Sequence, residues 1–185
     1  MANSSVATSV VVCNNDVYVA GHMNNSTKRT AKLWKNNKEV MLSETDDTVA
    51  NSVYVYENDV YVIGTRSNDT NIATLWKNGT AIPLTKGENT SFANALFVLN
   101  NDVYVVGKET DSKNNYRAKL WKNGETFRLF NDNEAQSVYV FKNDIYVAGC
   151  EQIYNGTFSM ATLWKNNNKV TLSKNRSYAY DVFVK

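Results

Sequence analysis

The stretch Asn58-Asp59-Val60-Tyr61-Val62-Ile63-Gly64 decides the fold of this chain, because nearly the same seven residues occur four times. The other copies begin at Asn15, Asn101 and Asn143, and each copy is followed by a Leu-Trp-Lys-Asn tetrad. A period of about 43 residues made of short β-type runs is typical of propellers, in which each repeat forms one four-stranded blade. We therefore predict an all-β fold, a β-propeller whose four repeats are four-stranded antiparallel meanders.

The second repeat shows the predicted strands most plainly. Residues 50–56 and 59–64 are rich in β-branched and aromatic residues, as strands are, and a tight turn separates them. Residues 73–77 form the third strand, and the hairpin signal Asn78-Gly79 leads into the fourth. That fourth strand contains Pro83, which cannot donate a ladder hydrogen bond, so we expect it at an outer edge of the sheet. The first strand is expected to be the innermost.

The repeats predict one domain, 1–185, with a surplus strand at its end. The predicted repeats are approximately 6–48, 49–91, 92–133 and 134–177, followed by an extra strand at 178–185. Three explanations of the extra strand stay open: a piece of a longer propeller, a four-bladed ring in which one terminal strand displaces the other, and an open array that pairs with a second copy. Unpaired strands and uncapped repeats favour association. We therefore expect self-association through the terminal repeats, or truncation.

The composition excludes several kinds of partner. The 20 basic and 18 acidic residues leave a net charge of +2, which is too small to indicate nucleic acid or an acidic membrane surface. No apolar stretch approaches the roughly 18 residues that cross a bilayer. The first residues show neither the basic nor the apolar region of a secretion signal. We expect no nucleic-acid partner and no membrane insertion.

Residues that carry catalysis or bind metals are sparse. His22 is the single histidine, and a lone histidine does not make a metal site. Two carboxylate pairs, Asp46-Asp47 and Asp132 with Glu134, fall in connections between repeats, where solvated loop charge is the ordinary interpretation. The aspartate that recurs in every repeat, such as Asp59, flanks a hairpin turn and is interpreted as structural. We predict no catalytic residue, no metal site, no cofactor and no enzymatic activity.

The tryptophans and cysteines are also assigned structural roles. Each tryptophan occurs once per repeat at the same strand position, so packing between blades is favoured over the stacking of a sugar on an exposed indole. Cys13 takes a slot that large apolar residues fill in the other repeats, so we expect it to be buried and inert. Cys150 follows a strand-ending glycine and is expected to be more exposed.

The loops that differ between repeats gather on one face of the predicted array. A rigid scaffold with variable loops at one end is where recognition usually occurs, so we expect a binding site there. Aromatic residues of these loops are candidate contacts, as is a row of mostly polar residues in the first strands, which could equally hold ordered water. The candidate ligand-binding residues are Asn51, Asn94, Gln136, Tyr180, Tyr116, Tyr154 and Phe158.

The repeat phrase Asn-Asp-Val-Tyr-Val-Ala-Gly at 15–21, with Ala-x-Leu-Trp-Lys-Asn-Gly, resembles repeats of uncharacterised bacterial β-propeller proteins, many of them secreted or surface-attached. The resemblance implies the fold and an extracellular or cell-surface location, and it brings no catalytic motif. Our leading hypothesis is a non-enzymatic binding or assembly module that holds a glycan or a protein on the loop-rich face. The alternatives are a structural component of a larger oligomeric, extracellular or virion assembly and, third, a hydrolase that uses an axial pocket.

Overall fold

The computed structural model of this chain describes residues 4–42, 47–129, 134–153, 158–166 and 168–185, apart from the side chains of Met41, Leu129 and Ile153. All regular secondary structure in these ranges is β-strand. No helix that could span a membrane occurs in them. The strands form four antiparallel four-stranded sheets, one for each sequence repeat, which confirms the predicted all-β, propeller-type fold.

Each sheet keeps its four strands in chain order. The first sheet contains β1 (Ser4–Cys13), β2 (Asp16–Asn24), β3 (Arg29–Lys35) and β4 (Lys38–Met41). The second contains β5 (Asp47–Tyr56), β6 (Asp59–Ser67), β7 (Asn71–Lys77) and β8 (Thr80–Pro83). The third contains β9 (Ser91–Leu99), β10 (Asp102–Thr110), β11 (Tyr116–Lys122) and β12 (Glu125–Leu129). The fourth contains β13 (Glu134–Phe141), β14 (Asp144–Ile153), β15 (Phe158–Lys165) and β16 (Asn168–Thr171). Pro83 therefore lies in an edge strand, as predicted.

Asparagine dominates the tight turns because their central residues take left-handed backbone angles. Asn36 and Asn37, between β3 and β4, have φ values of 48° and 64°. Between β7 and β8, Asn78 has a φ of 50° and Gly79 a φ of 83°. Two consecutive positive φ angles are what a type I′ turn requires, and the twist of that turn matches the twist of the flanking strands.

An aspartate at the start of the second strand joins the two tight turns of each sheet. In the second sheet, Asn78 Nδ2 donates to Asp59 Oδ1 at 2.8 Å, and Lys77 Nζ lies 2.7 Å from Asp59 Oδ2. Asn78 Oδ1 in turn accepts from the backbone nitrogen of Val60 at 2.9 Å. We call this set of contacts the aspartate clamp. The other sheets repeat it around Asp16, Asp102 and Asp144, which confirms the structural interpretation of these aspartates.

A glycine stands beside the irregular point of the first strand pair in three of the sheets. In the second sheet the register shifts between Ala50 and Ser52, and Gly64 pairs with Ala50. A Cβ atom on Gly64 would overlap the carbonyl group of Val49. The close approach of the two backbones therefore explains why the repeat phrase ends in glycine.

The chain divides into two compact units, Met1–Ala93 and Asn94–Lys185. In the first unit, one face of the first sheet packs on the opposite face of the second. We call the surface of a sheet that carries the tyrosine of its second strand, Tyr18 in the first sheet, its forward face. The surface that carries the tryptophan, Trp34 in the first sheet, is its rear face. The forward face of the first sheet contributes Tyr18, Ala20, Ala31 and Leu33 to this core, and the rear face of the second contributes Val53, Val62 and Trp76.

The core of the second unit has the same construction. Tyr104, Val106, Ala118 and Leu120 of the third sheet pack on Val138, Val140, Ile145, Val147 and Trp164 of the fourth. Trp76, Trp121 and Trp164 are buried, with exposed fractions of 1%, 0% and 2%, which confirms the packing role predicted for them. Trp34 is only half-buried. The single-domain boundary 1–185 stays a prediction.

The surplus copy of the first-strand motif lies against the fourth sheet. We call residues 177–184 the C-terminal segment. Ser137 Oγ donates to Asp181 Oδ1 at 2.6 Å, and the ring centroids of Tyr139 and Phe183 are 5.2 Å apart. No strand of the described chain pairs with this segment in a ladder, so it carries no strand assignment.

Candidate functional site

A polar cleft of about 740 Å³ opens in the second unit. Its volume falls in the range of sites that hold small molecules in proteins. One wall comes from the ends of β10 and β11 and the loop between them: Lys108, Asn114, Asn115, Tyr116 and Arg117. The other wall comes from the fourth sheet and the C-terminal segment: Glu134, Cys150, Gln152, Ser159 and Tyr178.

Glu134 is the one carboxylate among the described residues that line the cleft. It is the first residue of β13, where it pairs with Cys150 of β14. Its Oε1 atom lies 3.0 Å from Lys108 Nζ and accepts a hydrogen bond from Asn94 Nδ2 at 3.2 Å. Lys108 Nζ also lies 4.7 Å from the centroid of the Tyr116 ring. A cation and an amide therefore orient this carboxylate, and its side chain remains a quarter exposed, at 25%.

Asp111 fixes the loop that forms the first wall. Its Oδ1 atom accepts hydrogen bonds from the backbone nitrogens of Lys113 at 2.8 Å and Asn115 at 3.0 Å. Its Oδ2 atom accepts a hydrogen bond from Arg117 Nε at 3.1 Å. The backbone hydrogen bonds of Asn115 and Lys113, joined by the Arg117 side chain, lower the pKa of Asp111 to about 2. The carboxylate is therefore ionised at neutral pH, and it holds Arg117 and the neighbouring Tyr116 at the cleft.

Tyr178 brings a phenol to the second wall. Hydrogen bonding to Ser159, followed by Arg176, lowers the pKa of the Tyr178 hydroxyl from its ordinary value. Hydrogen bonds to the charged form of a group favour that form, so the phenolate is easier to reach here than in water. The ring stacks against that of Tyr180, with the centroids 6.1 Å apart.

The structure places the predicted site residues in several different settings. Asn51 Nδ2 donates to the carbonyl oxygen of Ala93 at 2.7 Å, and Asn94 Nδ2 donates to that of Ala135 at 2.9 Å. Both amides thus join their own first strand to the first strand of the next repeat. Tyr116 lines the cleft.

The remaining candidates lie elsewhere. Gln136 is half-buried in β13, Phe158 is half-buried at the start of β15, and Tyr180 is exposed; none of these three lines the cleft. Tyr154 lies outside the described residues. Ligand binding by all seven candidates stays a prediction.

Sequence reasoning missed the main residues of the cleft. Glu134 was interpreted as solvated loop charge, whereas it begins a strand and its carboxylate is paired. The signal that could have found it was its departure from the repeat: Val6, Val49 and Phe92 hold the same position. Lys108 departs in the same way, because its position is held by His22, Thr65 and Cys150 in the other repeats.

Cys13 is more exposed than we expected, and Cys150 is more buried. Cys13 is half-buried at the end of β1. Cys150 is buried at the cleft wall, where it pairs with Glu134 on one side and with Ala161 on the other. Its central position in the sheet removes it from solvent although it follows a glycine.

Comparison with known proteins gives structural relatives only. No protein-family model matches the sequence, and no curated protein matches it either. The catalytic domain of the GH62 α-L-arabinofuranosidase of Coprinopsis cinerea is similar with a TM-score of 0.55 at 10% identity, over 97% of this chain and 73% of that one. A thermostable family-43 glycoside hydrolase is similar with a TM-score of 0.57 at 12% identity, over 94% of this chain and 73% of that one.

These relatives overturn two expectations from the sequence. Both are glycoside-cleaving enzymes, so the prediction of a non-enzymatic binding or assembly module was wrong, as was the prediction of no enzymatic activity. From the sequence we weighed carboxylate pairs that are close in the chain, whereas the cleft brings Glu134 together with residues of several separate strands. At 10% and 12% identity the likeness itself shows the fold, and that fold is the β-propeller.

Proposed function

We propose that this chain is a glycoside hydrolase that holds its substrate in the polar cleft of the second unit. The observation that carries the proposal is the presence of Glu134 and Tyr178 in one cleft, among amide, hydroxyl and cationic side chains. The similar solved structures support a glycan substrate, because both act on glycosides. The resemblance of the repeats to secreted or surface-attached bacterial propellers supports a substrate that is met outside the cell.

Glycoside hydrolysis needs two kinds of group at the scissile bond. One protonates the departing oxygen, and the other attacks or stabilises the anomeric carbon, a role that tyrosine fills in some glycosidases. We assign the first role to Glu134, whose carboxyl group faces the cleft. We assign the second to Tyr178, because hydrogen bonds to Ser159 and Arg176 favour its anion. The departing oxygen takes the proton of Glu134 as the oxygen of Tyr178 bonds to the anomeric carbon. Glu134 then takes a proton from water, whose oxygen displaces Tyr178 and releases the sugar, so both groups return to their starting states.

The rest of the lining suits a sugar. Asn114, Asn115 and Gln152 offer amide donors and acceptors for ring hydroxyls. The Tyr116 ring offers an apolar surface on which a pyranose or furanose can stack. Lys108 holds Glu134 in place from the opposite wall. Because the Coprinopsis cinerea relative is an α-L-arabinofuranosidase, an α-L-arabinofuranoside is the first substrate to test.

The test is turnover of a panel of 4-nitrophenyl glycosides, headed by the α-L-arabinofuranoside, by the full chain. We expect release of 4-nitrophenol from at least one member. Glu134→Gln and Tyr178→Phe should each lower kcat by about 100-fold or more, the usual contribution of a general acid–base or nucleophilic group. Tyr56→Phe is the matched control, because this tyrosine ends β5 in the first unit and does not line the cleft.

Two results would contradict the proposal. The first is the absence of turnover with every glycoside and with arabino-, xylo- and fructo-oligosaccharides. The second is turnover that Glu134→Gln leaves unchanged, since the cleft would then not be the site. A loss with Glu134→Gln alone would keep the site and remove Tyr178 from the reaction.

A further inference from the structure

We propose that copies of this chain associate head to tail, through β1 of one copy and the fourth sheet of the next. In this exchange β1 takes the place that the C-terminal segment holds on the fourth sheet of its own chain. The exchange also withdraws Tyr178 from the cleft, but the proposal rests on the packing of successive repeats and not on glycoside hydrolysis.

Two side-chain hydrogen bonds fasten the first strand of a repeat to the repeat before it. In one, the backbone nitrogen of Ala31 donates to Thr48 Oγ1 at 2.8 Å. In the other, the backbone nitrogen of Val53 donates to Ser9 Oγ at 3.2 Å. The first bond recurs one repeat later, where Ala73 donates to Ser91 Oγ at 2.9 Å.

The C-terminal segment makes the same two bonds to the fourth sheet. The backbone nitrogen of Ala161 donates to Ser177 Oγ at 3.0 Å, and that of Val182 donates to Ser137 Oγ at 3.3 Å. The segment therefore occupies the place of the first strand of a fifth repeat. It does so without a second, third and fourth strand to cover the rest of that surface.

The incomplete cover leaves the forward face of the fourth sheet partly open. Tyr18, Tyr61 and Tyr104 stand at one position of the second strand in the first three sheets, and all three are buried. Tyr146 is their counterpart in the fourth sheet, and it is only half-buried. Burial of apolar surface is favourable, and the free energy gained is proportional to the area removed from water. A partner that buries more of this face than the C-terminal segment does is therefore favoured.

β1 carries the groups that the C-terminal segment uses. Ser5, Ala7 and Val10 have the spacing of Ser177, Ala179 and Val182. Ser5 can accept from the nitrogen of Ala161 of another copy, and the nitrogen of Val10 can donate to its Ser137 Oγ. β1 is also joined to β2, β3 and β4, which could bury more of the fourth sheet, whereas the C-terminal segment has no further strands.

The rear face of the first sheet has the composition of a buried surface but is exposed. Val10 is 64% exposed, whereas its counterparts Val53 and Val138 are 4% and 5% exposed. Val12 is 66% exposed, whereas its counterpart Val55 is half-buried and Val140 is 4% exposed. Trp34, on the same face, is half-buried, whereas Trp76 is 1% exposed. Within each unit, such a rear face packs on the forward face of the preceding repeat. A second copy supplies such a forward face in its fourth sheet. The contact between copies would then have the same arrangement, rear face on forward face, as the contact between sheets within each unit.

The test is the mass of the full chain across a wide range of concentration, measured by sedimentation equilibrium. We expect association to twice the monomer mass or to longer head-to-tail chains. Val10→Lys combined with Val12→Lys should raise the dissociation constant by about tenfold or more, because the two charges would be buried against the partner. Val40→Lys combined with Ile82→Lys is the matched control, since both residues are exposed in outer strands of the first unit.

A third variant distinguishes strand replacement from general apolar adhesion. Phe183→Asp weakens the contact of the C-terminal segment with Tyr139, so it should free the fourth sheet and strengthen association severalfold. General adhesion predicts the opposite, because Phe183 is itself an exposed apolar residue. A monomeric mass at all concentrations for both the natural chain and Phe183→Asp overturns the proposal, and so does weaker association of Phe183→Asp. Far-ultraviolet circular dichroism verifies that each variant is folded.

Discussion

Lys108 Nζ lies 3.0 Å from Glu134 Oε1, so an ammonium group of β10 orients a carboxylate of β13 across the two walls of one cleft. The same ammonium group lies over the ring of Tyr116, which presents its side chain to the same space. Lys108 is therefore a positioning residue for both the proposed acid–base group and an aromatic contact. Its removal should affect the cleft without disturbing the buried core.

We expect Lys108→Met to lower kcat by about tenfold with a smaller change in KM, because Glu134 loses the partner that orients it. Lys108→Arg, which keeps the charge, should recover part of the loss. The measurement is steady-state kinetics with the best glycoside of the panel. Lys86→Met, in the connection between the second and third sheets, is the control. Equal kinetics for the methionine variant and the natural chain would show that the pair has no role in turnover.

Gly64→Ala should destabilise the chain far more than Gly124→Ala. At Gly64 the new Cβ meets the Val49 carbonyl, and the fixed backbone cannot yield, so we expect a loss of about 3 kcal/mol in the free energy of unfolding. At Gly124 the φ angle is 87° but no atom lies within 4 Å of the new Cβ, so the conformational cost alone is about 1 kcal/mol. Urea denaturation of the two variants gives both values. Equal losses would mean that the strands at Gly64 are not in close contact.

Trp76→Ala and Trp34→Ala test the packing of the first unit. Trp76 is 1% exposed in the core between the first two sheets, so its truncation should cost about 4 kcal/mol. Trp34 occupies the same position in the first sheet but is only half-buried, so we expect about half that loss. The measurement is the midpoint and slope of urea unfolding in dilute protein, where self-association is minimal. A larger loss at Trp34 would contradict the assigned faces.

The aspartate clamps should make stability fall in acid. Hydrogen bonding to a lysine is the largest cause that lowers the pKa of each clamp carboxylate in the folded chain, followed by the turn asparagine. A carboxylate whose pKa is lowered by folding binds fewer protons in the folded state than in the unfolded state between the two pKa values. Its contribution is complete above the ordinary aspartate pKa of 3.8 and is lost as the pH falls through the folded value.

Urea unfolding at a series of pH values between about 5 and 2 checks this expectation. Asp59→Asn should reduce the acid sensitivity, because it removes one of the titrating clamps while it keeps the shape of the side chain. Acid sensitivity that is equal in this variant and in the natural chain would place the titrating groups elsewhere. Asp111, with its pKa of about 2, adds a contribution that is lost only at the acid end of the range.

The sequence predicts the structural features that all four repeats share. The tight turns follow from asparagine and glycine at positions of positive φ, and the recurrent aspartate follows from its place beside those turns. Such features depend on interactions between residues that are near in sequence, or at a fixed spacing within one repeat. The meander, its four copies and the structural role of Asp59 could therefore be predicted without coordinates.

The cleft could not be predicted in this way, because it depends on where the repeats differ. Glu134 and Lys108 are separated in sequence and meet only when β10 and β13 belong to neighbouring sheets. Tyr178 lies in the surplus copy, at the position that Glu134 takes in the preceding repeat. A comparison of each position across the repeats would have marked these residues as exceptions. Their meeting in one cleft required the three-dimensional structure.

The aspartate clamps have a practical consequence for redesign. They fasten each sheet at the end that carries its two short turns, and thus hold the strand register from the end opposite to the connector between the second and third strands. A connector there can accordingly be lengthened, shortened or transplanted from one repeat to another, while the turns at the far end preserve the alignment. The first two sheets thus offer separately anchored grafting positions, whereas the connector of the third sheet forms a wall of the cleft.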